Sequence, residues 1–186
     1  TSEGRYGGRR LSLKGASAEM CEGKLDIDYG FDFKSMAGDV AVKMQNADLQ
    51  PLMKQLGWGG LVGDGKAGRL SGDVKAKLSY GADGQLLMDG KGRINVAGAD
   101  LWSIPLFGDF LTFLGKAWSL KSLGSITTVD CDFNLVGNKL TTESFKSDGG
   151  VVALRASGDY LWNTNEFDFK FRAELLKGAL PFETMS

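Results

Sequence analysis

From Lys24 to Phe33 the chain reads K-L-D-I-D-Y-G-F-D-F, an almost unbroken alternation of apolar and polar residues. Leu25, Ile27, Tyr29, Phe31 and Phe33 fall at every second position, with Asp26, Asp28 and Asp32 between them. Successive side chains of an extended strand point to opposite faces, so this period gives one apolar and one solvated face, as in a half-buried antiparallel strand. No helix tolerates the pattern, because a period of two scatters apolar residues around a cylinder of 3.6 residues per turn.

The same period returns at Val40, Val42 and Met44, at Leu70, Val74, Ala76, Leu78 and Tyr80, and at Leu86, Met88, Ile94 and Val96. After a break it resumes at Val129, Cys131, Phe133 and Leu135, at Val152, Leu154, Ala156, Tyr160 and Trp162, and at Phe167, Phe169, Phe171, Ala173 and Leu175. Turn signals such as Gly81-Ala82-Asp83-Gly84, Gly137-Asn138 and Asp148-Gly149-Gly150 separate the runs. About nine strands in meander order are expected. Glycine supplies 27 of 186 residues, twice the usual share of roughly 7%, and proline only three. The dispersed glycines are expected at hairpin turns, bulges and kinks.

Between Leu101 and Gly124 the period changes. Leu106, Phe107, Phe110, Leu111, Phe113, Leu114, Ala117, Trp118 and Leu120 fill about half the circumference of a helix, with Gly108, Asp109, Thr112, Lys116 and Ser119 opposite. Pro105 suits the first turn and Gly124 a left-handed cap. Three roles are open to such a helix: packing on the sheet, closing the end of an apolar groove, or lying in a membrane interface. A faint repeat accompanies it. Ala47-Asp48-Leu49 recurs as Ala99-Asp100-Leu101, and each copy follows a strand and precedes an apolar helical stretch, Pro51 to Leu56 and Pro105 to Leu120. The recurring unit is strand, Ala-Asp-Leu, helix, strand, which points to duplication.

Chemistry is constrained by what the chain lacks. It has no histidine, which removes the commonest general base and zinc ligand together with every Ser-His or Cys-His pair. With 22 basic and 23 acidic residues it carries a net charge of −1, not the polybasic balance of a nucleic-acid or anionic-membrane binder. No apolar run is long enough to cross a bilayer as a helix. Cys21 and Cys131 are too few for a disulfide scaffold and too distant for a metal knuckle; a single bridge and two buried thiols both remain open. Gly60 to Ala67 mimics a phosphate loop, but a helical stretch precedes it and a strand follows, the reverse of the order that aims a helix N-terminus at an anion, so an inter-strand loop is expected. Asp26/Asp28 and Asp130/Asp132 place carboxylate pairs on one strand face, the residue type that a glycosidase or calcium site uses. Lying opposite the apolar residues, they are expected on the solvated face, as are Asp168, Lys170, Arg172 and Glu174.

So many apolar strand faces exceed what one helix can cover. The sheet must curl, dimerise or hold an apolar ligand.

Gly92-x-Ile94-x-Val96-x-x-Ala99-Asp100-Leu101-x-x-Ile104-Pro105-Leu106, followed by Phe110 and Leu111, resembles the strand, turn and helix start of the C-terminal region of AsmA-like proteins. The strand through Phe133, Gly137-Asn138-Lys139-Leu140, Ala156-Ser157-Gly158 and the aromatic strand Phe167 to Phe171 follow in the family's order. The resemblance covers about residues 85 to 181; residues 1 to 84 match only in style. It implies an envelope protein of a diderm bacterium, held in the inner membrane by an N-terminal helix and extending through the periplasm. It also implies similarity to bridge-like lipid transfer proteins, with roles in phospholipid transport and outer-membrane assembly. The family runs on after Leu180-Pro181-Phe182 and this chain stops at Ser186, while Thr1 is not a methionine, so a fragment of a longer protein is expected, its membrane anchor outside the sequence. No catalytic residue and no cofactor come with the resemblance.

The expectation is therefore all-β: a strongly curved antiparallel sheet, an open or taco-like groove, with one amphipathic helix in a single domain over residues 1–186. Its partner would be a phospholipid or other acyl-chain lipid, which gains roughly 0.8 kcal/mol for each methylene removed from water. Envelope protein partners are possible; nucleic acid and metal are not expected. Candidate groove residues are Ile27, Tyr29, Phe31, Val42, Met44, Leu78, Ile94, Phe110, Leu114, Trp118, Phe133, Leu154, Phe169 and Phe171. The alternative is a non-enzymatic scaffold β-domain with a closed, packed core that binds protein partners at its edges. An enzyme is the third and weakest reading.

Overall fold

The computed structural model describes residues 3–55, 68–98, 126–149, 152–164 and 166–175. They form one antiparallel sheet of ten strands: β1 (Glu3–Gly7), β2 (Arg10–Met20), β3 (Gly23–Asp32), β4 (Ala37–Asp48), β5 (Arg69–Tyr80), β6 (Leu86–Ala97), β7 (Ile126–Gly137), β8 (Lys139–Gly149), β9 (Val152–Leu161) and β10 (Glu166–Leu175). Each strand pairs with its neighbours in sequence, from β1 at one edge to β10 at the other. The two edges do not meet, so the sheet is a curved open meander and not a barrel.

Strands β3 to β7, β9 and β10 coincide with the alternating runs. β1, β2 and β8 are additional, and the total is ten, not nine. In β2 the register slips between Leu13 and Ala16, and in β8 between Thr142 and Phe145. A bulge inserts one residue, so apolar positions before and after it fall out of phase and no unbroken alternation survives. β1 is a short, exposed strand with two of its five positions glycine.

At one end of the sheet, β4 passes directly into helix α1 (Leu49–Gln55). The Asp48 carboxylate accepts a hydrogen bond from the Gln50 N–H at 2.9 Å and caps the helix, while Ala47, Leu49 and Leu52 are buried. This is the first Ala-Asp-Leu copy in its expected setting. The second copy, the helix expected over Pro105 to Lys121 and the phosphate-loop mimic Gly60 to Ala67 lie outside the described residues. The connection from β6 to β7 leaves from the same end of the sheet as α1, because alternate hairpins of a meander share an end.

Asn46, at the β4 bulge, is left-handed (φ 52°), as are Cys21 (φ 49°) and Glu22 (φ 60°) in the tight β2–β3 turn. These sites adjoin. The Asp48 N–H donates to the Cys21 carbonyl at 2.6 Å, and Arg69 bridges Glu22 at 2.6 Å. Three backbone conformations that L-residues seldom adopt are therefore held by one cluster of bonds.

Candidate apolar binding face

In an antiparallel ladder, residues directly opposite share a face, so the register alone traces the apolar surface across the strands. One row runs Ile27, Val42, Val74, Gly92, Phe133. Beside it run Tyr29, Val40, Ala76, Gly90, Leu135, Leu140 and Tyr160. Further rows carry Phe31 with Leu78 and Met88, and Leu25, Met44, Ile94, Cys131, Phe145, Ala156 and Phe171. Val96, Val129, Ser147 and Leu154 form the row nearest α1, and Phe169 lies opposite Gly158. Eleven sequence-selected residues thus share one face: Ile27, Tyr29, Phe31, Val42, Met44, Leu78, Ile94, Phe133, Leu154, Phe169 and Phe171. Phe110, Leu114 and Trp118 lie outside the described residues.

The face is unevenly covered. Ala76, Phe133 and Leu135 form a buried patch against which Val40, Val74, Met88, Cys131, Leu140 and Trp162 pack. Ile94 and Phe171 on the same face remain 38% and 45% exposed. Among the described residues the largest side chain below 2% exposure is Ser147, so no large apolar group is fully enclosed. A two-layer sandwich would enclose several.

Alternation does not reveal everything on this face. Gly38, near the start of β4, and Gly92 and Gly158, in mid-strand, occupy apolar-face positions, each opposite an aromatic: Phe31, Phe133 and Phe169. A methyl group at Gly92 would overlap the Phe133 ring, and one at Gly158 would overlap Phe169. These glycines serve close approach where turns or kinks were expected. Phe145, Thr142 and Ser147 also lie on this face and were missed, because bulges shift their phase and two of them are polar. The Thr142 hydroxyl donates to the Asp132 carbonyl at 2.7 Å and receives the Cys131 thiol at 3.6 Å; Ser147 Oγ has no hydrogen-bond partner among the described residues. Burial pushes the Cys131 thiol pKa up, helped by the Asp132 charge and opposed by the Thr142 hydrogen bond. Cys21 and Cys131 are both free thiols.

The opposite face holds the carboxylate pairs, each tied to a local partner. Asp26 lies 3.1 Å from Lys24 Nζ, and Asp28 accepts the Gly15 N–H at 2.7 Å, filling the β2 bulge. Asp130 receives Arg93 at 3.2 Å and Asn95 at 3.0 Å; Asp132 lies 3.6 Å from Arg93 Nε. Among the described residues no three Cys, Asp or Glu side chains are arranged to hold a metal, and no helix is long and apolar enough to cross a membrane. No family model, curated protein or solved structure matches the chain.

Proposed function

We propose that this chain is a non-enzymatic lipid-binding or lipid-conducting module of AsmA-like type, working in the periplasm of a diderm bacterium and contributing to phospholipid transport and outer-membrane assembly. The observation that supports the reading is the continuous apolar face on one side of an open sheet, part of it exposed at Ile94 and Phe171. An acyl chain on that face needs contact area, not an acid, a base or a metal. Each methylene it buries contributes roughly 0.8 kcal/mol, so a chain of ordinary length supplies ample affinity. The polar face meanwhile keeps the module soluble, with its charges paired in place.

Native mass spectrometry of the purified chain tests the proposal by looking for co-purified phospholipid. Ile94→Asp is the informative variant, because a residue already 38% exposed contributes little to packing. It should release the lipid while lowering the melting temperature by only a few degrees. A lipid-free wild type, with no binding of added phospholipid, would assign the face to packing or protein contact and favour the scaffold alternative.

A further inference from the structure

The two edges of the sheet differ. β1 is five residues long and covers only Arg10 to Lys14 of β2, beyond which the bulge at Gly15 interrupts the strand. Short, bulged edges resist further pairing. β10 is ten residues long, pairs with β9 in unbroken register from Glu166 to Leu175, and has no further neighbour among the described residues. Among the described residues its outer backbone donors and acceptors meet no further strand.

That edge reads E-F-D-F-K-F-R-A-E-L, with two acidic residues, Glu166 and Asp168, then two basic ones, Lys170 and Arg172, interleaved with phenylalanines, and Glu174 near its end. β9 complements it only at the far end, through Arg155 and Glu174. Asp168 stands opposite Asp159, and Arg172 opposite Arg155. Asp159 is committed to Thr141 and Lys139 on β8, at 2.7 and 3.2 Å, while Glu174 of β10 lies 3.7 Å from Arg155 and 3.3 Å from Arg172. Like charges directly opposite weaken a ladder, and Glu166, Asp168 and Lys170 have no ion-pair partner among the described residues, so these charges are available to a strand on the open side. A strand that fits must run antiparallel with basic residues facing Glu166 and Asp168 and acidic residues facing Lys170 and Arg172. Reversed, β10 has that sequence.

We infer that two copies of this chain join edge to edge through β10, about a two-fold axis at Phe169 and perpendicular to the sheet. Glu166 then faces the partner's Arg172 and Asp168 the partner's Lys170, each twice by symmetry, with Phe169 against the partner's Phe169. Sliding two residues to centre on Phe171 sets Asp168 against Glu174 and Lys170 against Arg172; centring on Phe167 sets Glu166 against Asp168. A shift of one residue places Asp168 or Lys170 against itself. The charge pattern thus selects a single register. The axis keeps both apolar faces on the same side, joining those of the described strands into one continuous surface, and the short β1 is the poorer of the two described edges for pairing. The inference is independent of what the apolar face binds.

Sedimentation of the whole chain tests it with two charge-reversed variants, both at exposed positions. Lys170→Glu/Arg172→Glu makes the edge wholly acidic, and Glu166→Lys/Asp168→Lys makes it basic from residue 166 to residue 172. The wild type should be a dimer, each variant alone should self-associate at least about tenfold more weakly, and an equimolar mixture of the two should restore the dimer. Unchanged circular dichroism shows that the variants fold. Register is read by Phe169→Cys in a Cys21→Ser/Cys131→Ser background, which should form an intermolecular disulfide across the axis on mild oxidation, because opposed strand residues lie within bridging distance. A wild type that stays monomeric at hundreds of micromolar, or variants that dimerise as well as wild type, would overturn the inference.

Discussion

The ring of Phe133 on β7 lies over Gly92 on β6, its direct partner in the ladder, and fills the space a side chain there would take. The pair sits in the buried patch of Ala76, Phe133 and Leu135, so sheet pairing and core packing meet at one point. Gly92→Ala should push the ring aside and cost about 1–3 kcal/mol, as overpacking does, and Phe133→Ala about 3–5 kcal/mol. Because both changes act on the same space, the double variant should be less destabilised than the sum of the two. Urea denaturation of the four proteins measures the coupling, and strict additivity would show that ring and glycine do not depend on each other.

The two faces should respond differently to charge. Ile27→Asp places a carboxylate in the row of Val42 and Val74, where an unpaired charge costs several kcal/mol or forces protonation. Asp28→Ala, one position along, removes the acceptor for the Gly15 N–H and should cost about 1 kcal/mol, the net worth of one hydrogen bond. Lys170→Ala, at an exposed position on the β10 edge, should lower the melting temperature far less than Ile27→Asp, by no more than weaker edge pairing costs. Equal effects of Ile27→Asp and Lys170→Ala would refute the assignment of faces.

The architecture was legible wherever strands alternate without interruption, because Leu25 to Phe31 and Val129 to Leu135 keep their apolar residues in phase from end to end. It was not legible at β2 and β8, where bulges after Leu13 and Thr142 put Ala16 and Phe145 on the apolar face out of step with the residues before them. The apolar face could be listed from the sequence, but its glycines could not be understood there. Gly92 looks like a kink until Phe133 is known to be its neighbour, and that pairing spans a long connection whose length no local pattern predicts. Asp28 likewise looked like a solvated carboxylate, since nothing in its own strand reveals the N–H of Gly15 on the next.

Two buried hydroxyls on the apolar face should behave in opposite ways. Ser147 Oγ is buried and has no hydrogen-bond partner among the described residues, so it bears a desolvation cost with no return. Ser147→Ala should leave stability unchanged or raise it by up to about 1 kcal/mol. Thr142→Val removes the bond to the Asp132 carbonyl at the β7–β8 bulge and should lower stability by about 1–2 kcal/mol. Thermal melts of the two variants distinguish these outcomes, and a destabilising Ser147→Ala would mean that the hydroxyl has a partner.

Acid should weaken the fold through carboxylates on the polar face. The Thr141 hydroxyl and then the Lys139 ammonium hold Asp159 below its ordinary value of 3.8. Ser17 and Lys24 do the same for Asp26, and the backbone N–H groups of Ser35 and Lys34 for Asp32. A carboxylate whose pKa is lower in the folded chain binds fewer protons there than in the unfolded chain. Its contribution is therefore complete above the ordinary value and is lost as pH falls through the folded one. Stability should hold from neutrality to about pH 5 and decline below about pH 4. Asp159→Asn isolates one such group: it should be less stable than wild type at neutral pH, and the gap should narrow in acid, where the wild-type carboxyl is also protonated. Urea midpoints of both proteins across this range provide the test. A gap of constant size would show that Asp159 acts through shape and not through its charge.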